Sequence, residues 1–341
     1  MALPPSLNPL TAYGFDAAGI AGLIQNPVSR LVGMFRQDAA TAASPPSPGT
    51  AILVTEPDAA SGGETRFLRS PAKLSPGSMG WADMQQFGPT SFLDCQVISA
   101  AAALARADPD AAGRMVTEVT ATYQSRTKQQ AEGARGDLYF GETMLDVAFS
   151  RGTVRISPRL YFRDQDRKQL VHAHDAAKPA DGTWIALVEK AYAVEWGNEY
   201  DAISDRGPGS LSTRRVCFDL WGSIDEMVDG GGNGPLASRV IVALSLNADL
   251  DPRENKTFTT ALLTSFLTAA RQRPTVATTP YFGSNADPLT NNFIGGHTYV
   301  VLGDDGSGNI EFWEPMRHMQ PSLPVAEFFT VFDALYRRAG G

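Results

Sequence analysis

The chain has 341 residues, of which 43% are hydrophobic and 19% are charged. This composition is typical of a folded globular protein, and it excludes a disordered or membrane-spanning chain. The length suffices for one large domain, or for two lobes with an extension. The formal net charge of −8 disfavours nucleic acids and anionic membranes as the main partners, because both are bound through basic patches.

The cysteine count and the N-terminal sequence bear on the compartment. Cys95 and Cys217 are too few for a disulfide framework, although one bridge between them stays open; the pattern favours a reducing compartment. The N-terminus lacks the basic region of a signal peptide, and Pro27 and Arg30 interrupt the apolar stretch 17–35. The default prediction is a cytoplasmic protein without a membrane span, and export without a cleaved signal stays open.

Residues 1–75 form a Pro-, Ala- and Ser-rich extension. One helix is predicted over 18–36 and one strand over 51–55, with loop elsewhere. The extension is interpreted as loosely packed, and the alternative is a pro-segment or docking arm that covers an active site. The Pro/Ser/Gly-rich stretch 43–64 is a natural place for a hinge or for self-processing.

The compact core is predicted over 76–341, with a helical lobe at about 76–235. Asp94 is expected to cap a helix over 95–106, which is rich in helix-forming residues. Trp184, Leu187 and Val188 begin one apolar face of a strong helix over 183–196. The other elements predicted in this lobe are helices over 109–125 and 142–150 and a strand over 152–162.

The last part of the chain, about 236–341, is predicted to be a β-rich lobe. A strand is expected over 239–246 and a helix over 255–272. Residues 297–302 and 309–313 read as the two strands of a β-hairpin. The connection between these two strands is rich in Gly and Asp, as hairpin turns require.

Cys95 is the first candidate for catalysis. It follows the expected N-cap directly, so backbone N–H groups at the helix N-terminus favour a thiolate at this position. The alternative is a buried structural cysteine, which is the usual fate of a free thiol.

His297 is the candidate partner of this thiol. It follows two glycines, which permit close approach of a substrate or another segment, and it opens a predicted strand. A thiolate–imidazolium pair needs such a histidine nearby in space, and the histidine can be distant in sequence. The alternative is an ordinary histidine at the start of a strand.

Glu314 is the candidate for a third residue that orients the imidazole. It lies at the end of the second hairpin strand, where it can face His297 across the strand pair. The alternative is an exposed turn carboxylate before a proline, and Asn309 and Asn292 are weaker substitutes for the orienting role.

Three further patterns could suggest a metal or a phosphate-containing cofactor, but none of them is complete enough to predict one. His172 and His174 are spaced for a shared metal, but third and fourth ligands are not evident, so a solvated loop is the preferred interpretation. The glycine-rich stretch 230–234 lacks the lysine of a phosphate loop. Calcium binding has no motif to support it, because no twelve-residue calcium loop is present.

Three segments together resemble the calpain family of cysteine proteases. Residues 92–104 (FLDCQVISAAAAL) resemble the family's Gly-Asp-Cys-Trp and the small-residue helix after it. Residues 184–193 (WIALVEKAYA) are similar to the family's Trp-x-x-Leu-hydrophobic-Glu-Lys-Ala-Tyr-Ala, the most specific match. Residues 296–302 (GHTYVVL) resemble Gly-His-Ala-Tyr-x-Val. Their order and approximate spacing also agree, and the resemblance covers about residues 81–317.

The chain also departs from the family pattern. The family's oxyanion-hole Gln lies six residues before the Cys, where this chain has Pro89. Gln86, or Gln85, can serve if the loop carries an insertion. Glu314 stands where the family has Asn, and a carboxylate there favours the charged imidazole. The calcium-sensing domains of many calpains have no counterpart in the sequence.

The resemblance implies an α+β fold of the papain type, with Cys95 on the helical lobe and His297 on the β-rich lobe. It implies a cysteine endopeptidase that acts on a protein or peptide substrate, with Glu314 orienting His297 and Gln86 receiving the oxyanion. Two alternatives stay open. One is a papain-fold transamidase or deamidase effector, and the other is a non-catalytic calpain-like binding module. The oligomeric state is not predicted.

Overall fold

The computed structural model describes part of the unit Gly49–Gly341. The described residues are Trp81, 94–118, 144–162, 170–174, 183–196, 200, 203, 212–229, 259–280 and 293–340, together with the backbone of the other strands named below. The helix predicted over 18–36 lies outside the described residues, and so does most of the stretch 43–64.

Six α-helices are assigned among the described residues. In chain order they are α1 Cys95–Ala107, α2 Pro109–Met115, α3 Trp184–Glu195, α4 Thr213–Trp221, α5 Thr260–Thr268 and α6 Phe328–Val331. Short 3-10 helices occupy Ala269–Arg271 and Val325–Glu327.

The strands of the first half of the chain are short. They are β1 Ile52–Glu56, β2 Leu68–Pro71, β3 Lys73–Leu74, β4 Met84–Gln85, β5 Val116–Val119, β6 Tyr123–Thr127, β7 Asp137–Tyr139, β8 Met144–Phe149, β9 Gly152–Ile156, β10 Arg159–Phe162, β11 His174–Asp175 and β12 Lys178–Gly182. The later strands are β13 Ile224–Asp229, β14 Arg239–Leu246, β15 Arg253–Thr257, β16 Thr275–Thr278, β17 Thr298–Asp304, β18 Asn309–Trp313, β19 Ser322–Pro324 and β20 Ala334–Arg338.

One large sheet dominates the described part of the chain. Its eight strands run in the order β15-β14-β13-β20-β16-β17-β18-β19, and each neighbouring pair is antiparallel. A three-stranded antiparallel sheet, β5-β8-β9, lies in the preceding part of the chain. Strands β1, β2 and β3 pair with β6, β10 and β12, respectively. The combination of helices with mainly antiparallel sheets confirms the predicted mixed α+β class.

The large sheet contributes to two hydrophobic clusters. Val300 belongs to the cluster that contains the apolar residues of α1, α3 and α4, whereas its neighbours Tyr299 and Val301 belong to the cluster that contains those of α5 and α6. Successive residues of a strand face opposite sides of the sheet. Both faces of β17 are therefore covered, which explains why this strand is apolar without alternation.

Helix α1 is bound to its surroundings by side-chain hydrogen bonds as well as by packing. Ser99 Oγ donates to the carbonyl of Thr298 on β17 at 2.8 Å. The guanidinium of Arg106 donates to the carbonyls of Ala270 and Leu302, each at 2.5 Å. These bonds fix the position of α1 along the sheet.

Several predicted elements match the structure closely. Helix α1 begins at Cys95, and α3 begins after Thr183, whose side chain accepts a hydrogen bond from the N–H of Ala186. The strand predicted over 239–246 is β14. The predicted hairpin is β17–β18, with its first strand extended to Asp304.

Other predictions of helix were wrong. The helix predicted over 109–125 ends at Met115 and continues as strand β5, in which the β-branched residues Val116 and Thr117 favour extended backbone. The helix predicted over 142–150 is strand β8, which pairs with β5 on one side and β9 on the other.

Two further boundaries also need correction. The helix predicted over 255–272 begins only at Thr260, after strand β15, and the side chain of Thr259 caps it by accepting from the N–H of Leu262 at 3.0 Å. The strand predicted over 152–162 is divided into β9 and β10 by Ser157 and Pro158, and the two strands join different sheets.

Two further features concern membrane spans and the thiols. Within the described residues, no helix is long and apolar enough to cross a membrane. Cys95 and Cys217 are both free and buried, so the structure contains no bridge between them.

We predict that Ser99→Ala lowers the free energy of unfolding by about 1–3 kcal/mol, because it deprives a buried carbonyl of its donor. Ser265→Ala is the matched control, since Ser265 Oγ also donates to a carbonyl at 2.7 Å but at an exposed position. The control is expected to cost less than about 0.5 kcal/mol. Urea unfolding measures both variants, and equal losses would contradict the role of Ser99.

Candidate active site

Cys95 stands at the first residue of α1. The carbonyl of Asp94 accepts hydrogen bonds from the N–H groups of Val97 and Ile98, at 2.8 and 3.3 Å, so the helix begins at the cysteine. Cys95 is 4% exposed. In its neutral form the thiol donates to Oε1 of Gln96, 3.7 Å away, and Nε2 of Gln96 donates to the carbonyl of Ile203 at 2.6 Å.

His297 lies immediately before β17, and its backbone is held on both sides by Thr279. The N–H of His297 donates to Thr279 Oγ1 at 3.0 Å, and the N–H of Thr279 donates to the carbonyl of His297 at 2.9 Å. Gly296 has a φ of 63°, a conformation that favours glycine. The His297 ring packs edge-on against Tyr299, with a centroid separation of 5.1 Å. These contacts set the direction of the imidazole.

Glu314 follows β18 and directly binds the imidazole. His297 Nε2 donates to Glu314 Oε1 at 2.7 Å. The backbone N–H groups of Met316 and Arg317 donate to the two carboxylate oxygens at 2.6 and 2.7 Å. The carboxylate is thus held by three N–H donors at a position that is 1% exposed. A hydrogen-bonded carboxylate of this kind fixes the tautomer and the orientation of its histidine.

The side chain of Cys95 interacts with the same imidazole. Because Nε2 is used by Glu314, Nδ1 is the ring nitrogen left for the sulfur. Burial lowers the pKa of His297, but a hydrogen bond and Coulomb attraction to Cys95, followed by those to Glu314, outweigh this and raise the pKa to about 10. The hydrogen bond to His297 in turn contributes to the lowered pKa of Glu314, against the opposing effect of burial.

The arrangement defines the chemistry that is available. An imidazolium lies between a sulfur and a carboxylate, and all three residues are at most 4% exposed. Exclusion of water strengthens the electrostatic interactions among the three groups. The Cys95 sulfur beside this imidazole is a candidate nucleophile, and the imidazolium can deliver a proton to a leaving group.

The other predicted site residues are not at this position, or are not described. Gln86 and Asn292 lie outside the described residues. Asn309 is the first residue of β18, and its amide donates to Asp305 at 3.0 Å and to Ser307 at 3.3 Å, in the turn before it. Of the two candidates for orienting the imidazole that lie within the described residues, Glu314 and Asn309, Glu314 is the one hydrogen-bonded to His297.

The interpretation of His172 and His174 as part of a solvated loop was wrong. They are 0% and 2% exposed. Nε2 of His172 accepts the N–H of Tyr161 at 3.1 Å, and Nδ1 of His174 donates to the His172 carbonyl at 2.9 Å. Burial, followed by repulsion from Lys190 and His174, lowers the pKa of His172 to about 3, so this ring is neutral. In the described residues, no cluster of three or more metal-binding side chains is found.

Sequence reasoning missed two buried acidic residues beside the cysteine. Asp94 was expected to cap α1 with its side chain, but that side chain makes no capping hydrogen bond. It forms instead a hydrogen bond with Glu189 of α3. A signal was present in the sequence, because Glu189 and Lys190 lie between the apolar runs 184–188 and 191–194 of this helix. Both residues are 1% exposed in the structure.

Comparisons with known proteins do not assign the chain to a family. A scan against protein-family models gives no match, and a search of curated proteins also gives none. The geometry of the site is therefore the basis for a functional proposal.

We predict that Glu314→Gln lowers the pKa of His297 by roughly one unit or more, because the amide lacks the negative charge; one unit corresponds to about 1.4 kcal/mol. The ¹⁵N chemical shifts of the imidazole, followed against pH, measure this value. Glu311→Gln is the matched control, on an exposed position of the same hairpin. An unchanged His297 titration in Glu314→Gln would contradict the geometry.

The raised pKa also predicts how stability depends on pH. The folded state binds the His297 proton more tightly than the unfolded state does, so the stabilisation is complete below about pH 6.5 and is lost as the pH rises through about 10. We expect the free energy of unfolding to decline over this window in wild type and to decline less in Glu314→Gln. Urea unfolding at a series of pH values measures both slopes, and equal slopes would contradict the assignment.

Proposed function

We propose that this chain is a cysteine endopeptidase of calpain-like type with a papain-like fold, in which Cys95 is the nucleophile. The observation that carries the proposal is the position of His297. Its imidazole interacts with the thiol at a helix N-terminus on one side and with the Glu314 carboxylate on the other. This arrangement of nucleophile, base and orienting group is characteristic of thiol hydrolases, and here it arises from residues that are distant in sequence.

The proposed reaction begins with acylation. The Cys95 sulfur attacks the carbonyl carbon of a peptide bond, and the resulting oxyanion receives a hydrogen bond from the backbone N–H of Cys95 and one from Gln86. The C–N bond then breaks, and His297 transfers its Nδ1 proton to the leaving amine. The products of this step are a free amine and a thioester on Cys95.

Deacylation restores the enzyme. The neutral imidazole that remains after acylation takes a proton from water, and the hydroxide equivalent attacks the thioester carbon. The C–S bond breaks, and the released sulfur again forms an ion pair with the protonated His297. Glu314 holds the ring during both steps, so that the same nitrogen faces the sulfur throughout.

A second candidate function uses the same residues with another acceptor. Cys95 and His297 are each only 4% exposed. A site from which water is largely excluded favours transfer of the acyl group to an amine over hydrolysis. This observation keeps a papain-fold transamidase effector, with a protein target of its own, as the alternative. A deamidase effector would use the same residues on a side-chain amide, with water as the acceptor.

We predict that Cys95→Ala lowers the rate of cleavage of a casein-type protein on the order of 10⁴-fold or more, because no other described group replaces the nucleophile. Cys217→Ala is the control for loss of a buried thiol, and it is expected to keep wild-type activity provided that its thermal unfolding shows a folded chain. Unchanged cleavage by Cys95→Ala would overturn the proposal.

Mass spectrometry of the treated target separates the two candidate functions. Hydrolysis of the backbone yields shorter fragments. Deamidation or transamidation leaves the target at full length and changes the mass of a glutamine side chain. Modified full-length targets without fragments would favour the second candidate over the first.

A further inference from the structure

Two buried carboxyl groups meet beside the proposed nucleophile. Asp94 directly precedes Cys95, and Glu189 lies in the middle of α3; they are 0% and 1% exposed. A hydrogen bond joins their side chains, and the N–H of Ala173 donates to Glu189 Oε2 at 2.8 Å. Two carboxyl groups can share a hydrogen bond only if one of them carries a proton. Burial and the negative charge of Asp94 raise the pKa of Glu189 well above its usual value, so Glu189 holds that proton.

The neighbouring titratable groups have other hydrogen-bond partners. Lys190, the next residue on α3, donates from Nζ to the carbonyl and hydroxyl of Ser157, at 3.0 and 2.8 Å, and to the carbonyl of Arg159 at 2.7 Å. On the segment that contains Ala173, His172 and His174 make the core hydrogen bonds described above. The proton that the acid pair shares avoids two adjacent buried negative charges.

The pair also determines what lies at the N-terminus of α1. An aspartate at the N-cap ordinarily accepts hydrogen bonds from the first helical N–H groups. The Asp94 side chain makes no such bond and is bound by Glu189 instead, although its backbone carbonyl occupies the usual N-cap position. The first-turn N–H groups are thus not engaged by this carboxylate.

We propose that Glu189 is a positioning residue for the reaction: by donating to Asp94, it keeps that carboxylate off the first turn of α1 and away from the Cys95 sulfur. The inference rests on the proposed function, because it assigns the position of Asp94 to thiol chemistry. If Asp94 turned back onto the helix, its carboxylate would accept from the N–H of Gln96 or Val97 and bring a negative charge closer to the sulfur. A negative charge there opposes formation of the nucleophile and of the oxyanion.

Two substitutions of Glu189 separate the donor function from simple packing. Glu189→Gln keeps the shape, can donate from its amide to Asp94 and can accept from Ala173. Glu189→Met fills a similar volume but provides neither contact. Glu118→Gln and Glu118→Met are the matched controls, at an exposed position on β5. Circular dichroism and thermal unfolding establish that each variant is folded before its rates are compared.

Two rates are measured for each folded variant. One is the rate of Cys95 alkylation by iodoacetamide, which requires no substrate, followed by peptide mass spectrometry. The other is cleavage of a fluorogenic peptide or casein, resolved into kcat and KM. We expect Glu189→Met to lower the alkylation rate and kcat at least about tenfold with little change in KM, since it leaves a buried carboxylate without its donor. Glu189→Gln is expected to stay within about threefold of wild type.

Each outcome supports or overturns the inference. The inference is overturned if folded Glu189→Met has the alkylation rate and the kcat of wild type. It is also overturned if Glu189→Gln loses as much alkylation rate and kcat as Glu189→Met does. If Glu189→Met does not fold, the comparison of Glu189→Gln with wild type still decides, because a tenfold loss in a folded Gln variant contradicts the donor role. If the wild-type chain cleaves no substrate, the endopeptidase proposal is refuted. The positioning role of Glu189 is still supported in that case if Cys95 alkylation is slower in Glu189→Met and unchanged in Glu189→Gln.

Discussion

The burial of α1 is the constraint on which the rest of the site depends. All ten residues of 95–104 are buried, so each polar side chain of this helix has to be satisfied inside the protein. The alanines at 100–103 allow the helix to pack closely against the sheet and against α4. Ser99 and Gln96 use their side chains to bind carbonyls of other segments. The same bonds that stabilise the helix therefore place its first residue, Cys95.

The sheet supplies the other half of the site under the same constraint. The carbonyl of Thr298, the residue after His297, accepts the hydrogen bond from Ser99 one helical turn beyond Cys95. Helix and strand are joined within a few residues of the thiol and the imidazole. The proposed reaction needs a small and fixed separation between the Cys95 sulfur and the His297 imidazole. The Ser99–Thr298 hydrogen bond restrains the two segments that carry these groups.

Charge is balanced locally at each point of the site. Three N–H donors surround the Glu314 carboxylate, and the imidazolium that it binds faces the Cys95 sulfur. At the residue before Cys95, Asp94 shares one proton with Glu189. An isolated buried charge would be costly, whereas each of these charges has a proton or a counter-ion beside it. In the proposed mechanism, His297 gives its proton to the leaving amine and regains one from water, while Glu314 stays hydrogen-bonded to the ring.

Local patterns were sufficient to predict α1, α3, β14 and the β17–β18 hairpin, because each has a strong turn, cap or run of apolar residues. They failed over 142–150, where pairing with two other strands overrode a weak helical preference. The hairpin was also sufficient to bring Glu314 near His297: Val300 pairs with Trp313, so Glu314 stands diagonally across the strand pair from His297. The acid pair was not predictable in this way, because α3 was interpreted as having one apolar face, whereas it is buried on both sides of Glu189.

The measurement that tests the central claim most directly is the rate of Cys95 alkylation by iodoacetamide at about pH 6, where an ordinary thiol is almost wholly protonated. If His297 holds the sulfur as a thiolate, wild-type Cys95 reacts at this pH, and His297→Ala reduces the rate to that of the same cysteine in the unfolded chain. Equal rates for folded wild type and folded His297→Ala would contradict the pairing of Cys95 with His297.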